Sequence, residues 1–268
     1  DGLGYLLLET ICIAIVGTAI GAFLAAPLAF LNTRRFVPAP TAFFFNLIIM
    51  AIRSIPFLIY GLIFIRVSGP GAFTGVLTLA VCSIGLLTKR FTECLEAIDP
   101  GPYRALLAMG VHPVPAVCHS VLPQIAPAFC SAVLYRFDVN IREASVLGLV
   151  GAGGIGLLLN EKVSWREYDK VGTILLLLFA VVYLMEHLST WLTRLVQQER
   201  TLGRQGRRLL AGAAAALVLF CTVTLPLPDL SRTSMQMVKT LFTGLLHPNW
   251  ELFFRLDSSG LAYLLLET

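Results

Sequence analysis

Charged side chains are scarce in this sequence, and their scarcity excludes an ordinary water-soluble domain. Asp, Glu, Lys and Arg make up 13% of the 268 residues, whereas 57% are hydrophobic. A soluble domain carries about a quarter charged residues, so this chain cannot build an aqueous surface of the usual kind. The charges are missing from long blocks and concentrated between them, which is typical of a helical membrane protein. The blocks are apolar all round, unlike the amphipathic helices of a soluble domain with a large core.

Several kinds of functional motif are also missing. The six cysteines form no CxxC pair and mostly lie in apolar stretches, so they predict neither metal ligands nor a disulfide framework. The four histidines are too dispersed for a metal site or for a membrane-embedded enzyme. No Walker motif occurs, so the chain is not itself an ATPase. Basic residues are not grouped with aromatics, so we expect no nucleic-acid partner, and we expect no catalytic residue and no cofactor on this chain.

Six apolar blocks predict membrane-spanning helices. The first is uncharged and long enough to cross about 30 Å of hydrocarbon. Within it Gly17, Gly21 and Ala25 recur at four-residue spacing, a pattern that lets another helix approach closely. The second contains Arg53 and, just after it, Pro56, which we expect to kink the span. The six blocks cover residues 11–31, 36–65, 67–88, 121–135, 171–192 and 209–225.

The basic residues predict the orientation in the membrane. They accumulate after the first, third and fifth spans, in segments that alternation places on one side, which is therefore cytoplasmic by the positive-inside rule. On the opposite side the basic residues are interleaved with acidic ones, so we expect the amino end to lie outside. The cytoplasmic set comprises Arg34, Arg35, Lys89, Arg90, Arg104, Arg194, Arg200, Arg204, Arg207 and Arg208.

Residues 2–10 return almost unchanged at 260–268, with eight of nine positions identical. Both copies fall in the same phase of the predicted topology, which indicates a parallel duplication, with chance similarity as the alternative. We therefore predict three parts. Residues 1–195 form a core module with five spans, and 196–208 form a basic cytoplasmic linker. Residues 209–268 hold a sixth span, an external segment and the start of a second copy within a longer tandem chain.

The stretch between the third and fourth spans predicts a short cytoplasmic helix. Asp99 and the proline after it can start such a helix, and Gly110 stops it. Ala105, Leu106 and Met109 then form an apolar face on a helix too short to span. A helix of this kind either lies along the membrane surface as an ordinary amphipathic helix or docks into a partner.

The same stretch resembles the cytoplasmic motif of bacterial ABC-importer permeases. That motif reads Glu-Ala-Ala, three residues, Gly, nine residues, a hydrophobic residue, one residue and Leu-Pro. Here Arg104 stands in place of Glu, Leu106 in place of the second Ala, and Ser120 in place of Ile, while the spacing matches. In the family this segment is the coupling helix that sits in a groove of the ATPase subunit. The resemblance implies a coupling helix at about 99–119 and coupling roles for Arg104, Ala105, Leu106, Gly110, Leu122 and Pro123.

Residues 53–56, 96–102, 134–142 and 146–156 look like the phosphonate and phosphite subfamily, and the match runs in order over residues 3–195. The resemblance implies an all-α membrane protein with the type I ABC-importer permease fold and five core transmembrane helices. It implies a pore in the inner membrane that imports phosphonate, phosphite or phosphate by alternating access. The implied partners are ATPase subunits carrying ATP and Mg, an external or periplasmic substrate-binding protein, a second permease module as fused repeat or dimer, and the lipid bilayer. An importer of methionine or another small solute and an ion-coupled secondary transporter remain alternatives.

A glycine-rich run follows the fourth span. Gly151, Gly153, Gly154 and Gly156 lack the preceding strand and the Lys-Ser/Thr pair that a P-loop needs. The run is predicted on the external side, where we interpret it as a close-packed gate segment.

Ionisable residues in or beside the spans are candidates for the translocation pathway, because such residues are costly in hydrocarbon and face a partner or a wet cavity. Guanidinium groups suit phosphorus oxyanions through forked hydrogen bonds. The structural alternative pairs Arg136 with Asp138 or Glu143, and Arg53 with another acid. The pathway candidates are Arg53, Pro56, Arg136, Asn140, Arg142 and Glu143.

Overall fold

The computed structural model describes residues 2–197 and 204–225, together with residues 240 and 243. All regular structure in these residues is helical. The second copy predicted at 260–268 and most of the external segment before it lie outside the described residues. The helices are α1 (Leu3–Asn32), α2 (Ala39–Ser54), α3 (Phe57–Ser68), α4 (Ala72–Ala97), α5 (Gly101–Ala108), α6 (Pro113–Ala116), α7 (Leu122–Leu149), α8 (Ile155–Ser164), α9 (Tyr168–Gln197) and α10 (Arg204–Thr224), with a π-helical turn at Val117–Val121.

Within the described residues, four helices are long and apolar enough to cross a membrane, or five if the bent pair α2–α3 counts as one span. This confirms the predicted all-α membrane architecture with five core spans. The predicted sixth span forms α10, whose apolar part, Gly212–Thr224, is shorter than a full crossing. Helix α10 packs on α1, where Cys221 and Cys12 join the same buried cluster.

The closest helix packing is between α1 and α4, through the predicted small-residue stripe. A Cβ atom added to Gly17 would lie 2.8 Å from Cβ of Leu79 and 3.3 Å from the carbonyl oxygen of Val76. A Cβ atom on Gly21 would overlap Cβ of Ser83. Ala25, one turn further, is completely buried. The two helices run side by side in the same direction, and a side chain at either glycine would force them apart.

The second predicted span is two helices rather than one kinked helix. Helices α2 and α3 meet at 86°, far more than the kink expected from Pro56. Pro56 has no N–H and disfavours helical backbone at the residue before it, and Ile55 is accordingly extended. The hydroxyl of Tyr60 donates to the carbonyl oxygen of Ile52 at 3.0 Å, which satisfies a backbone group left without its helical partner.

The fourth span is much longer than the sequence predicted. We expected it to end at 135, with the charged residues after it, but α7 continues to Leu149. The charged residues therefore lie inside a helix, where their pairing with one another offsets the cost of burial. At its other end α7 continues the π-helical turn, in which the N–H of Leu122 donates to the carbonyl oxygen of Val117. Pro123, which has no N–H to donate, occupies the following position.

The predicted coupling helix at 99–119 is not one continuous helix, and only its first part forms α5. The Asp99 carboxylate accepts a hydrogen bond from the N–H of Gly101 at 2.9 Å, and Gly110 ends the segment with φ of +80°. Both features agree with the predicted start and stop. The rest of the range turns back into α6 and the π-helical turn, because Pro113 begins a new helix.

We expect Gly21→Leu to lower the melting temperature of the purified protein strongly, because the new side chain must separate α1 from α4. Overpacking of this kind costs about 1–3 kcal/mol. Gly172→Leu on α9 is the matched control, since a Cβ there meets no described atom within 4 Å. Equal thermal stability of the two variants, measured by tryptophan fluorescence in detergent, would contradict the α1–α4 contact.

Candidate translocation site and coupling segment

A buried ion pair lies where α7 faces α4. The two terminal nitrogens of Arg136 donate to the two carboxylate oxygens of Glu143, at 3.3 and 2.8 Å. The third nitrogen, Nε, donates to the hydroxyl of Ser83 at 3.1 Å. The Arg136 side chain is 5% exposed and that of Glu143 is 17% exposed. Both oxygens of the Glu143 carboxylate take part in this forked pair, so Arg136 is held in place and is not free to bind an anion.

Asn140 extends this pair into a polar cluster that joins three spans. Its side-chain nitrogen donates to the hydroxyl of Thr18 on α1 at 2.6 Å and to that of Ser83 on α4 at 2.9 Å. Asn140 is fully buried. We call Thr18, Ser83, Arg136, Asn140 and Glu143 the central polar cluster. Its members bind one another across α1, α4 and α7, which is the structural alternative that the sequence left open.

The Arg142 guanidinium is also neutralised, in a different way. One of its terminal nitrogens donates to the Asp138 carboxylate at 2.7 Å, one helical turn earlier. Its side chain is 50% exposed, whereas that of Asp138 is 11% exposed. Glu186 on α9 also acts electrostatically on Asp138. The Arg142 guanidinium is therefore paired with the Asp138 carboxylate and offers an incoming anion less charge than an unpaired arginine would.

Arg53 differs from both of these arginines. It lies at the end of α2, directly before the break at Pro56, and its side chain is exposed. Its aliphatic stem packs on α4, since a Cβ atom on Gly85 would lie 2.9 Å from Cγ of Arg53. Within residues 2–197 and 204–225, no acidic side chain pairs with its guanidinium. The sequence-based alternative that Arg53 pairs with an acid finds no support in the described part of the chain.

The glycine-rich run packs against the first turns of α1 and α4. Gly151, Gly153 and Gly154 have φ of +104°, +86° and +71°, a region that favours glycine. A Cβ on Gly153 would lie 2.8 Å from Ala72, and one on Gly154 would overlap the hydroxyl of Thr10. That hydroxyl accepts the N–H of Ile155 at 2.9 Å and so starts α8.

Gly156 completes the run by packing on α7. A Cβ atom added to Gly148 would lie 2.6 Å from the Cα atom of Gly156. A Cβ atom added to Gly156 would overlap the carbonyl oxygen of Ser145. The run is therefore tightly packed, as predicted. Its role as a gate stays a prediction.

The coupling segment presents α5 to the outside of the bundle. No residue of α5 is buried, and Arg104, Ala105 and Gly110 are exposed while Leu106 is half-buried. Tyr103 anchors the helix, with its ring edge-on to Phe36 at 5.6 Å between centroids. Leu122 and Pro123, also predicted to couple, are exposed at the start of α7 and are not part of α5. The helix thus offers backbone and small side chains on a rigid support.

Apolar side chains on the same segment have no cover. Met109 is 70% exposed and Leu107 is 36% exposed. Arg35 supports the chain just before the helix by donating hydrogen bonds to the carbonyl oxygens of Leu95 and Ile98. At eight residues, α5 is too short to cross the membrane, and its role as a docking surface stays a prediction.

These elements together define a multi-pass helical membrane protein with a broken second span and an exposed helix between α4 and α7. The chain belongs to the family of binding-protein-dependent transport system inner membrane components, whose family model matches residues 17–201. It is therefore an inner-membrane transport permease component.

Relatives with stated functions agree with this family. The phosphate-import permease protein PhnE of Mycolicibacterium smegmatis is 39% identical over 190 residues, which cover 70% of this chain and 36% of that protein. The phosphite transport system permease protein PtxC of Stutzerimonas stutzeri is 39% identical over 184 residues, covering 68% of this chain and 67% of that protein. The chain thus spans about a third of the length of the first relative.

Solved structures show the same fold. An inward-facing structure of the MetNI methionine ABC transporter matches with a TM-score of 0.61 and 23% identity, covering 73% of this chain and 94% of that one. An amino acid ABC transporter matches with a TM-score of 0.57 and 19% identity, covering 69% and 89%. The predicted type I importer permease fold is confirmed.

Sequence reasoning missed the partners that explain the charged residues. Thr18 and Ser83 look like ordinary polar residues in apolar blocks, yet they receive the hydrogen bonds of Asn140 and Arg136. Ser83 lies one helical turn from Leu79, which faces Gly17, so it belongs to the buried face of α4, but this contact is visible only in the structure. Thr10 and Tyr60 carried no comparable signal.

We expect Arg136→Met to lower the free energy of unfolding by about 3–5 kcal/mol, because Glu143 is left as an uncompensated buried charge. Arg136→Met combined with Glu143→Met should recover most of the loss. Lys89→Met, which breaks an exposed pair with Glu93, should change stability by less than about 1 kcal/mol. A double variant as unstable as the single one in thermal melts would argue against the pair.

Gly154→Ala and Gly69→Ala separate backbone strain from close packing in the glycine run. Both glycines combine positive φ, +71° and +80°, with extended ψ, a region essentially restricted to glycine, so each substitution should cost about 1–3 kcal/mol. Only at Gly154 does the new Cβ also meet Thr10, whereas a Cβ on Gly69 meets no described atom within 4 Å. Gly154→Ala should therefore melt several degrees lower, and equal melting temperatures would be inconsistent with the packing described.

Proposed function

We propose that this chain is a pore-forming subunit of an ATP-driven importer that moves a small phosphorus oxyanion inward by alternating access. The observation that carries the proposal is the exposed helix α5, which lies between α4 and α7 on a supported turn. A chain that works alone has no use for an uncovered apolar helix at this place. We therefore assign α5 as the contact with separate ATPase subunits that bind ATP and Mg.

The geometry of α5 suits a lever between the two proteins. Its carboxyl end is fixed by Gly110 at positive φ, and its start by the Asp99 cap. Tyr103 packs into the core cluster that contains Phe91 of α4 and Ile125 of α7. A displacement of α5 by an ATPase would therefore be passed through Tyr103 to the cluster that both spans share. The long helix α7 then extends to the glycine-rich run at its far end.

Arg104 stands where the family motif has an acidic residue. It is exposed on α5, and its side chain donates to no described acceptor. In this half of the transporter we assign it to a carboxylate on the ATPase surface. Leu122 and Pro123 support the segment from the start of α7 and need not contact the ATPase.

The substrate class follows from the relatives rather than from a bound molecule. Two relatives at 39% identity are described as a phosphate-import and a phosphite transport permease, and a third at 38% identity as a putative cryptic phosphonate transport permease. A D-methionine permease matches at only 26% identity. We propose phosphonate or phosphite as the cargo, delivered by an external substrate-binding protein, with a second permease module completing the pore.

We expect Ala105→Trp to abolish transport by the assembled importer while the protein stays in the membrane, because the indole prevents α5 from seating on the ATPase. Uptake of labelled phosphite into proteoliposomes and co-purification of the ATPase subunit are the measurements. Ala39→Trp is the matched control and should transport normally. Ala39 is exposed at the start of α2, after the loop that carries Arg34 and Arg35.

Three outcomes would oppose the proposal. Full transport by Ala105→Trp would remove α5 as the coupling contact. Uptake that persists without ATP but collapses with an ion gradient would indicate a secondary transporter. Uptake of methionine in place of phosphite would retain the mechanism and overturn the substrate.

A further inference from the structure

Arg53, Arg136 and Arg142 lie on helices α2 and α7, and of these three only Arg53 has no acidic partner in the described part of the chain. Arg136 is held by Glu143 and Ser83, and Arg142 by Asp138. Arg53 has no acidic partner in the described residues, and its side chain is exposed. The chain therefore neutralises two of these charges and leaves the third one open.

The depth of Arg53 follows from its contact with α4. The stem of Arg53 packs on Gly85, which is the 14th residue of the 26-residue helix α4. At 1.5 Å per residue, Gly85 lies about 20 Å from the start of α4 and about 18 Å from its end. Lys89 and Arg90, which belong to the predicted cytoplasmic set, follow Gly85 on α4 by four and five residues, so Arg53 lies in the cytoplasmic half of the membrane. An arginine at this depth faces water or an opposite charge, because facing lipid is too costly.

The break between α2 and α3 explains how this position is built. Because α2 ends at Ser54 and α3 leaves at 86°, Arg53 is the last basic residue before a corner in the chain. The Tyr60–Ile52 hydrogen bond braces that corner. The Gly85 contact fixes the stem while leaving the guanidinium exposed. A broken span with backbone away from lipid indicates that this corner borders a water-filled space or a second protein surface.

We infer that Arg53 is the pathway residue that meets the phosphorus oxyanion in the cytoplasmic half of the membrane. This inference rests on the proposed function and narrows its pathway to one side chain. An open guanidinium supplies several N–H donors and a full positive charge to a phosphonate or phosphite group. Because no acid of the described chain competes for it, an anion passing the corner gains a counter-charge that Arg136 and Arg142 do not offer.

The first test measures transport by the assembled importer, with ATPase and binding protein, in proteoliposomes. Arg53→Gln should reduce uptake of labelled phosphite per ATP hydrolysed about tenfold or more, because a charge-assisted hydrogen bond to the cargo is lost. Arg53→Lys keeps the charge but not the fork, and should recover part of the rate. Uptake by Arg53→Gln at the wild-type rate would overturn the inference. So would failure of Arg53→Gln to assemble with its partners, which would assign Arg53 to a salt bridge between modules.

The second test asks whether water reaches this position, and it does not depend on the identity of the cargo. In a background with the exposed thiols removed (Cys118→Ser and Cys130→Ser), Arg53→Cys should react with a membrane-impermeant anionic methanethiosulfonate. Phe23→Cys is the depth-matched control. Gly21 on α1 lies against Ser83 on α4, and the two helices run in the same direction. Phe23 and Gly85 each follow by two residues, so they lie at the same level. Phe23 is 79% exposed on an apolar helix and should not be labelled.

The two tests separate the inference from the proposed function. If the wild-type complex does not import phosphite but Arg53→Cys is labelled, the substrate class is wrong and the aqueous position of Arg53 stands. If the wild type imports phosphite but Arg53→Cys and Phe23→Cys are equally unreactive, the importer stands and the role of Arg53 is overturned.

Discussion

Arg136 and Glu143 form a forked ion pair inside the bundle, and the polar cluster built around it joins α1, α4 and α7. A buried charge of either sign alone would cost several kcal/mol, so each residue requires the other. Ser83 and Asn140 connect the pair to α4 and α1. These bonds form only because Gly17 and Gly21 let α1 and α4 come into contact. Close packing and charge pairing therefore support each other at the same depth of the membrane.

Around this fixed centre the chain places the elements that have to move or bind. The α2–α3 corner lies on one side, and α5 projects from the basic end on the support of Tyr103. The glycine-rich run closes the far end of α7 against α1 and α4. Long helices that share the central polar cluster can transmit a displacement of α5 without separating. This arrangement suits the proposed function, in which a separate ATPase subunit moves the permease from the cytoplasmic side.

Much of this was predictable from the sequence, and the limits have clear physical reasons. Composition gave the membrane class, and the spacing from Arg104 to Pro123 gave the family. The end of α7 was missed because hydropathy counts Arg136 and Glu143 as polar residues, whereas paired charges are tolerated inside a span. The 86° angle between α2 and α3 was not predicted, because a proline within an apolar block indicates only a kink in one helix. Which arginine remains open depends on contacts between distant spans, and no local pattern encodes those contacts.

The most direct test of this account is a cryo-EM structure of the assembled importer trapped with phosphite or methylphosphonate inside the membrane. The account predicts density for the anion beside the guanidinium of Arg53 at the α2–α3 corner, with Arg136 still bound to Glu143. An anion bound to Arg136, or Arg53 paired with a carboxylate of the second module, would contradict it.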